Sequence, residues 1–424
     1  ATTTGNDNVG VGRQALDANT TGGANVAVGS DALGANTTAS NNTAVGYHAL
    51  LANTTGDTLT AVGVNALATN TTAANNTAVG VNSLYLNTTA DSNTAVGRNA
   101  LVANTTGTEN VSLGSLSSDA GTIASYNVAV GHGALTTNVA SDKNTAIGHS
   151  ALASLSASSQ ADGFNVAVGY VAGAAITTGT SNVLVGVGAG DAITTADNNT
   201  AVGHLSLSAN TTGTRNTALG ALALDENTTA NDNTAVGKSS LSSNTTGANN
   251  TAVGESSLAT NTTASNNTAV GKGSLNANTT GADNVAMGVN SLDANTTGTQ
   301  NVAIGTAALT TNTSASNNVA VGQSALSLNT TGANNVAIGT EALAANTQAA
   351  NNVAIGADAG KANTTGTQNV FLGVAAGDAY TNGDENIVIG YTAEISGAGG
   401  HNQIVMGRGA VGNADVSFCF GEGT

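Results

Sequence analysis

His132, His149 and His204 each follow a glycine at the same point of a recurring phrase, and the first two stand seventeen residues apart. If equivalent positions stack, the imidazoles come side by side, and gathered about a symmetry axis they could hold a transition metal. Solvated turn histidines are the commoner product of such a pattern, so no metal ligand is assigned. Carboxylates stand singly at turn positions, as at Glu109 and Asp283. They lack the paired, contrasting environments that general acid–base catalysis needs. Glycine-rich fragments such as GVGAG (186–190) precede no helix and make no phosphate cradle. The calcium nonapeptide G-G-x-G-x-D does not occur. The expectation is a protein with no catalytic residue, no cofactor and no metal, and not an enzyme.

Charge narrows the partners. Eight basic residues face 25 acidic ones, a formal net charge of −17, and the basic residues are scattered along the chain. No positive stripe is available to neutralise phosphates, so nucleic acid is not an expected partner. The acidity suits solubility of a long, sparsely charged chain. Cys419 is the only cysteine, which excludes an intrachain disulfide and a multi-cysteine metal site. No apolar run approaches the 18 residues of a membrane span. The opening ATTTGNDNVGVG matches the middle of the phrase ANTTGADNVAMG (277–288), as expected of a piece of a longer protein.

What must position any functional group is a repeat. The glycine closing each phrase recurs every 17 residues from Gly12 to Gly407, except between Gly148 and Gly169, where the spacing is 21. A tandem period this regular means one solenoid coil per repeat. In the copy at 249–254, Asn250 precedes the strand Thr251-Ala252-Val253, and Gly254 closes it; Leu258 and Asn261 follow. The residue before the glycine is always Val, Ile, Leu or Met, and the residue three before it is always β-branched. Alternation places these two on one face, expected to be the interior, with the intervening Ala on the opposite, outer face. The asparagines suit turns and stacked amide ladders. The glycine suits positive φ or a close backbone approach. Repeated Gly and Asn turn signals leave no room for a helix. The predicted fold is all-β: a β-solenoid or β-roll of about 24 coils, with two short strands each. Its organisation is 1–148 regular, 149–169 one expanded coil, 170–407 regular, and 408–424 a terminal transition segment.

The phrase N-[TV]-A-[VI]-G-x-x-[AS]-L-x-A resembles the YadA-like head repeats of trimeric autotransporter adhesins. It is also similar to repeats of bacteriophage tail fibres, and the segment 385–412 resembles a transition toward a terminal domain. The resemblance implies a left-handed roll, a parallel homotrimer and an extracellular place on a virion tail fibre or bacterial surface. It further implies a role in host attachment, with a cell-surface receptor, such as a glycan, as partner. Adhesin heads commonly use a shorter repeat than 17.

Departures from the repeat mark candidate receptor contacts, because loops leaving a rigid scaffold often carry binding. The expanded coil contributes Ser159, Gln160, Asp162 and Phe164, and the irregular stretch 121–131 contributes Tyr126. Four coils replace the repeat Leu with Gly, at 171–177, 188–194, 358–364 and 375–381, for which alternate packing is the favoured account. A competing role is ice binding by threonine arrays. Because the Thr residues of the NTT phrase are adjacent, alternation leaves only one Thr column per face.

Overall fold

The computed structural model describes residues 4–156, 160–397 and 399–421. It comprises two compact units, Ala1–Arg215 and Asn216–Thr424. Each is an all-β parallel solenoid, and no helix occurs among the described residues. In the first unit three-residue strands run from Val9–Val11 to Thr200–Val202, and in the second from Thr217–Leu219 to Phe418–Phe420. Each strand pairs with its counterpart one coil away, so that Thr251 lies beside Thr268, Ala252 beside Ala269 and Val253 beside Val270.

Apart from the two-residue strands Ser141–Asp142 and Ala161–Asp162, each coil holds one strand, not the two expected. The rest of the coil is turn, yet it is still hydrogen-bonded from coil to coil. Ser256 N–H donates to the Lys238 carbonyl at 3.0 Å, Leu258 N–H to Ser274 at 3.0 Å, and Thr262 N–H to Thr279 at 3.2 Å. Backbone groups are thus paired around the circuit without a second strand. Four tight bends close each coil, at positive φ: Asn249 (59°), Gly254 (136°), Ser256 (55°) and Leu258 (51°). At Gly254 a Cβ would lie 2.5 Å from the Gly271 carbonyl oxygen, so both the conformation and the stacking distance require glycine.

The strand faces the opposite way from the sequence expectation. Ala252, Ala269 and Ala303 are fully buried, and the flanking Thr251 and Val253 lie on the outer surface, partly exposed. The reason is space. A 17-residue coil brings its walls so close that the strand can send only a methyl group inward, and Leu258 from the opposite wall fills the remainder. Leu258 adopts a left-handed conformation that costs about 1–2 kcal/mol. Burying its side chain returns about 1.5–3 kcal/mol, so burial wins.

The coils in which Gly replaces Leu confirm this account. Leu184 replaces the strand Ala, and a Cβ at either Gly173 or Gly190 would sit 2.7 Å from its methyl groups. Phe371 occupies the same inward position, and a Cβ at Gly360 would lie 2.6 Å from its ring. A large residue on one wall therefore requires a glycine on the other, which is the alternate packing expected.

Two asparagine ladders run inside each unit. Asn250 Oδ1 accepts the Asn267 N–H at 3.0 Å, while its Nδ2 donates to the Ala264 carbonyl at 2.9 Å. Asn261 Nδ2 donates to Asn244 Oδ1 at 2.8 Å and to the Ala264 carbonyl at 3.0 Å. Both asparagines are fully buried. The segment 408–424 contains one further, shortened coil, in which Phe418 pairs with Ile404, Cys419 with Val405 and Phe420 with Met406.

Candidate functional site

The expanded coil leaves the strand ladder undisturbed, with Thr145 paired to Val166 and Ile147 to Val168. Its register is still regular at Ser156, whose N–H donates to Thr177, and again at Asn165, whose N–H donates to Asn144 Oδ1 at 3.2 Å. The four extra residues therefore lie between 156 and 165. Ser159 is outside the described residues. The far limb of the insertion, Ala161–Asp162, pairs in parallel with Ser141–Asp142 of the preceding coil.

This arrangement gathers the other candidate contacts. Tyr126, Lys143 and Phe164 occupy the same position, five residues before the closing glycine, in three consecutive coils. Each has left-handed backbone, with φ of 62°, 59° and 49°. Asn, Asp and Ser are common at this position elsewhere, and bulky side chains there are strained. Lys143 Nζ lies 2.9 Å from Asp162 Oδ2 and 5.3 Å from the centre of the Phe164 ring. The hydrogen bond that it donates to the Asp162 carboxylate holds the Lys143 ammonium above the usual lysine range. Gln160 Nε2 donates to Asp142 Oδ2 at 3.2 Å. The other oxygen of Asp142 accepts the Ser125 N–H at 2.7 Å, which anchors the cluster to the coil below. Tyr126 and Phe164 are 50% and 51% exposed. The arrangement presents two aromatic surfaces, an ion pair and an amide on a stiff support.

Lys143 and Asp142 were not singled out from the sequence. Counting back from Gly131, Gly148 and Gly169 would have found Lys143, since it puts a cation in the column between the two aromatics.

At the other end of the same strands, His132, His149 and Tyr170 form a stack. Their ring centres are 5.1 and 5.3 Å apart, with interplanar angles of 17° and 27°. The stacking expected for His132 and His149 is present, but near-parallel rings do not turn their nitrogens toward one point. His204 lies two coils beyond Tyr170, with Val187 between them in the sequence column. No group of three metal-ligating side chains occurs among the described residues.

A second surface follows from the outward strand face. In the second unit, from the strand at Val285–Met287 to that at Ile404–Met406, both outward columns are aliphatic. Met287 (42% exposed), Ile304, Ile338, Ile355 and Leu372, with the partly exposed Val321 between Ile304 and Ile338, form a continuous apolar stripe, with one rank per coil. Stripes of this extent on a protein surface mark contacts with other molecules. The repeat residues Asn250, Ala252, Gly254, Leu258 and Asn261 are structural, whereas Thr251 and Val253 belong to this outer face.

No family model matches the chain, and no curated protein does.

Proposed function

We propose that the chain is a segment of a structural fibre, built for extension and contact and not for catalysis. Three copies run side by side, outward stripes facing one another, and project from a phage tail or bacterial surface to a cell-surface receptor. The observation that carries this reading is the apolar stripe from Met287 to Leu372, which a lone chain leaves in water. The resemblance of the N-[TV]-A-[VI]-G repeats to adhesin heads and tail fibres supports the carrier and the chain number. The expanded coil is the receptor contact in this reading.

The test is mass in solution. A value near three times 40.6 kDa is expected, falling to a single chain when Ile304 and Ile338 are both changed to Lys. A single-chain mass for the unaltered protein refutes the fibre. Deleting residues 157–160 restores the 17-residue period and is expected to abolish adsorption to the host cell without changing that mass.

One observation favours ice binding as a second reading. The outward strand face carries stacked Thr-x-Val ranks at Thr43–Val45, Thr60–Val62, Thr77–Val79 and Thr94–Val96. The first Thr of each NTT phrase is less available, since Thr37 and Thr54 donate their hydroxyls to the next coil. Thermal hysteresis from a single-chain species would favour ice binding over the fibre.

A further inference from the structure

The column Tyr126–Lys143–Phe164 describes a ligand by its chemistry. Its two aromatic side chains are half exposed and stand two coils apart, which at the usual strand spacing is about 10 Å. They occupy a strained backbone position that Asn fills at Asn75 and Asn198, so folding alone does not account for them. Between and beside them stand donors and acceptors at fixed positions: the Lys143 ammonium, the Asp162 carboxylate and the Gln160 amide. Two carboxylates, Asp142 and Asp162, outnumber the one ammonium, which disfavours anionic partners, nucleic acid included.

A molecule matching such a surface has apolar C–H faces to lie on the rings and hydroxyl groups around its edge to meet the polar atoms. It must also be long enough to reach both rings. A pyranose chain has these properties. A peptide side chain would instead call for a concave pocket that buries it on several sides. We infer that the Tyr126–Lys143–Phe164 column, with Gln160 and Asp162, is a binding platform for a neutral oligosaccharide lying along the coil axis. Tyr126 and Phe164 each carry one sugar ring, and Asp162 accepts hydrogen bonds from hydroxyl groups of the sugar between them. The inference rests on the reading of the expanded coil as the receptor contact.

The full chain is screened by isothermal titration against neutral di- to hexasaccharides of glucose, galactose and mannose, with oligogalacturonate as the anionic control. Mass in solution is measured in parallel. At least one neutral oligosaccharide is expected to bind. Phe164→Asn and Tyr126→Asn, which place the column's ordinary residue at each site, are each expected to weaken it about tenfold or more. Asp162→Asn is expected to weaken it as well. Failure of every neutral sugar to bind, preference for oligogalacturonate, or unchanged affinity in both aromatic variants overturns the platform. Three-chain mass without sugar binding leaves the fibre standing and removes this inference. Sugar binding by a single chain does the reverse.

Discussion

The run from Gly237 to Gly356 and the stretch from Ser112 to Phe164 are built from the same repeat but treat their interiors differently. In the first, every closing glycine before Gly356 is followed four residues on by Leu and seven residues on by Asn. The interior is filled, and both amide ladders run through it. In the second, Ser112 replaces the inward Ala, Ser118 the Leu and Gly121 the ladder Asn. The core there becomes a polar knot, with Ser112 Oγ donating to the Ser117 carbonyl at 2.9 Å and Ser117 Oγ to the Gly114 carbonyl at 2.8 Å. Without an Asn at 121, the buried Oδ1 of Asn104 has no hydrogen-bond partner. The regular run leaves a single ladder oxygen, Asn346 Oδ1 at its far end, without a partner. The irregular stretch gives up part of its ladder and its apolar filling beside the place where its surface acquires aromatic and charged groups, a pattern common near functional sites.

Exchanging features between the two regions tests this contrast, and the largest effect is expected from volume. Ala252→Leu in the regular run overfills the coil and is expected to cost about 3 kcal/mol. Adding Leu241→Gly and Leu258→Gly should recover much of that loss, because this is the arrangement around Leu184. Urea denaturation midpoints decide it, and no recovery would show that the walls are not coupled.

The ladders come next. Asn250→Ala strands the buried Asn267 N–H and removes one of the two hydrogen bonds to the Ala264 carbonyl, an expected loss of about 2 kcal/mol. Gly121→Asn in the irregular stretch should do the opposite by giving Asn104 Oδ1 its donor, raising stability by about 1 kcal/mol. Equal and opposite shifts in the denaturation midpoint are not required, but the signs are.

A pH-dependent effect is expected outside both regions. Burial, helped by a hydrogen bond from the protonated Glu394 carboxyl to Asp378, pushes the Glu394 carboxyl from an ordinary 4.5 up to about 8. The folded state then holds a proton that the unfolded chain has released, so stability falls as pH rises from 4.5 to about 8. Glu394→Gln should flatten this limb, measured as the midpoint across that window. An unchanged slope would exclude Glu394 as its source. Smallest of all is Thr251→Val on the outer face, expected to change stability by no more than about 0.5 kcal/mol.

Much of the fold is legible in the sequence. The 17-residue period, the closing glycines and the asparagine ladders each follow from one residue type at one spacing. The orientation of the strand was not legible from hydrophobicity, because the invariant aliphatic residue before Gly254 suggests an interior that is in fact closed to it. In a coil this narrow, side-chain volume decides which face is inside. The exchange of Ala for Leu184 or Phe371 together with Leu for Gly173, Gly190, Gly360 or Gly377 already records that rule. The candidate site was half legible. Tyr126, Gln160, Asp162 and Phe164 stood out as departures, whereas Lys143 looks like an ordinary turn residue until its column is counted.

The inner asparagine ladder has a consequence for production of the protein. Asn244, Asn261 and Asn278 each begin an Asn-Thr-Thr glycosylation sequon, yet all are fully buried, with their amide nitrogens committed to neighbouring coils. A glycan at any of them cannot coexist with the stacked coils. Secretion through a eukaryotic host would therefore set oligosaccharyl transfer against folding, residue by residue, whereas Asn249, which begins Asn-Asn-Thr at an exposed bend, could carry a glycan on the finished fold.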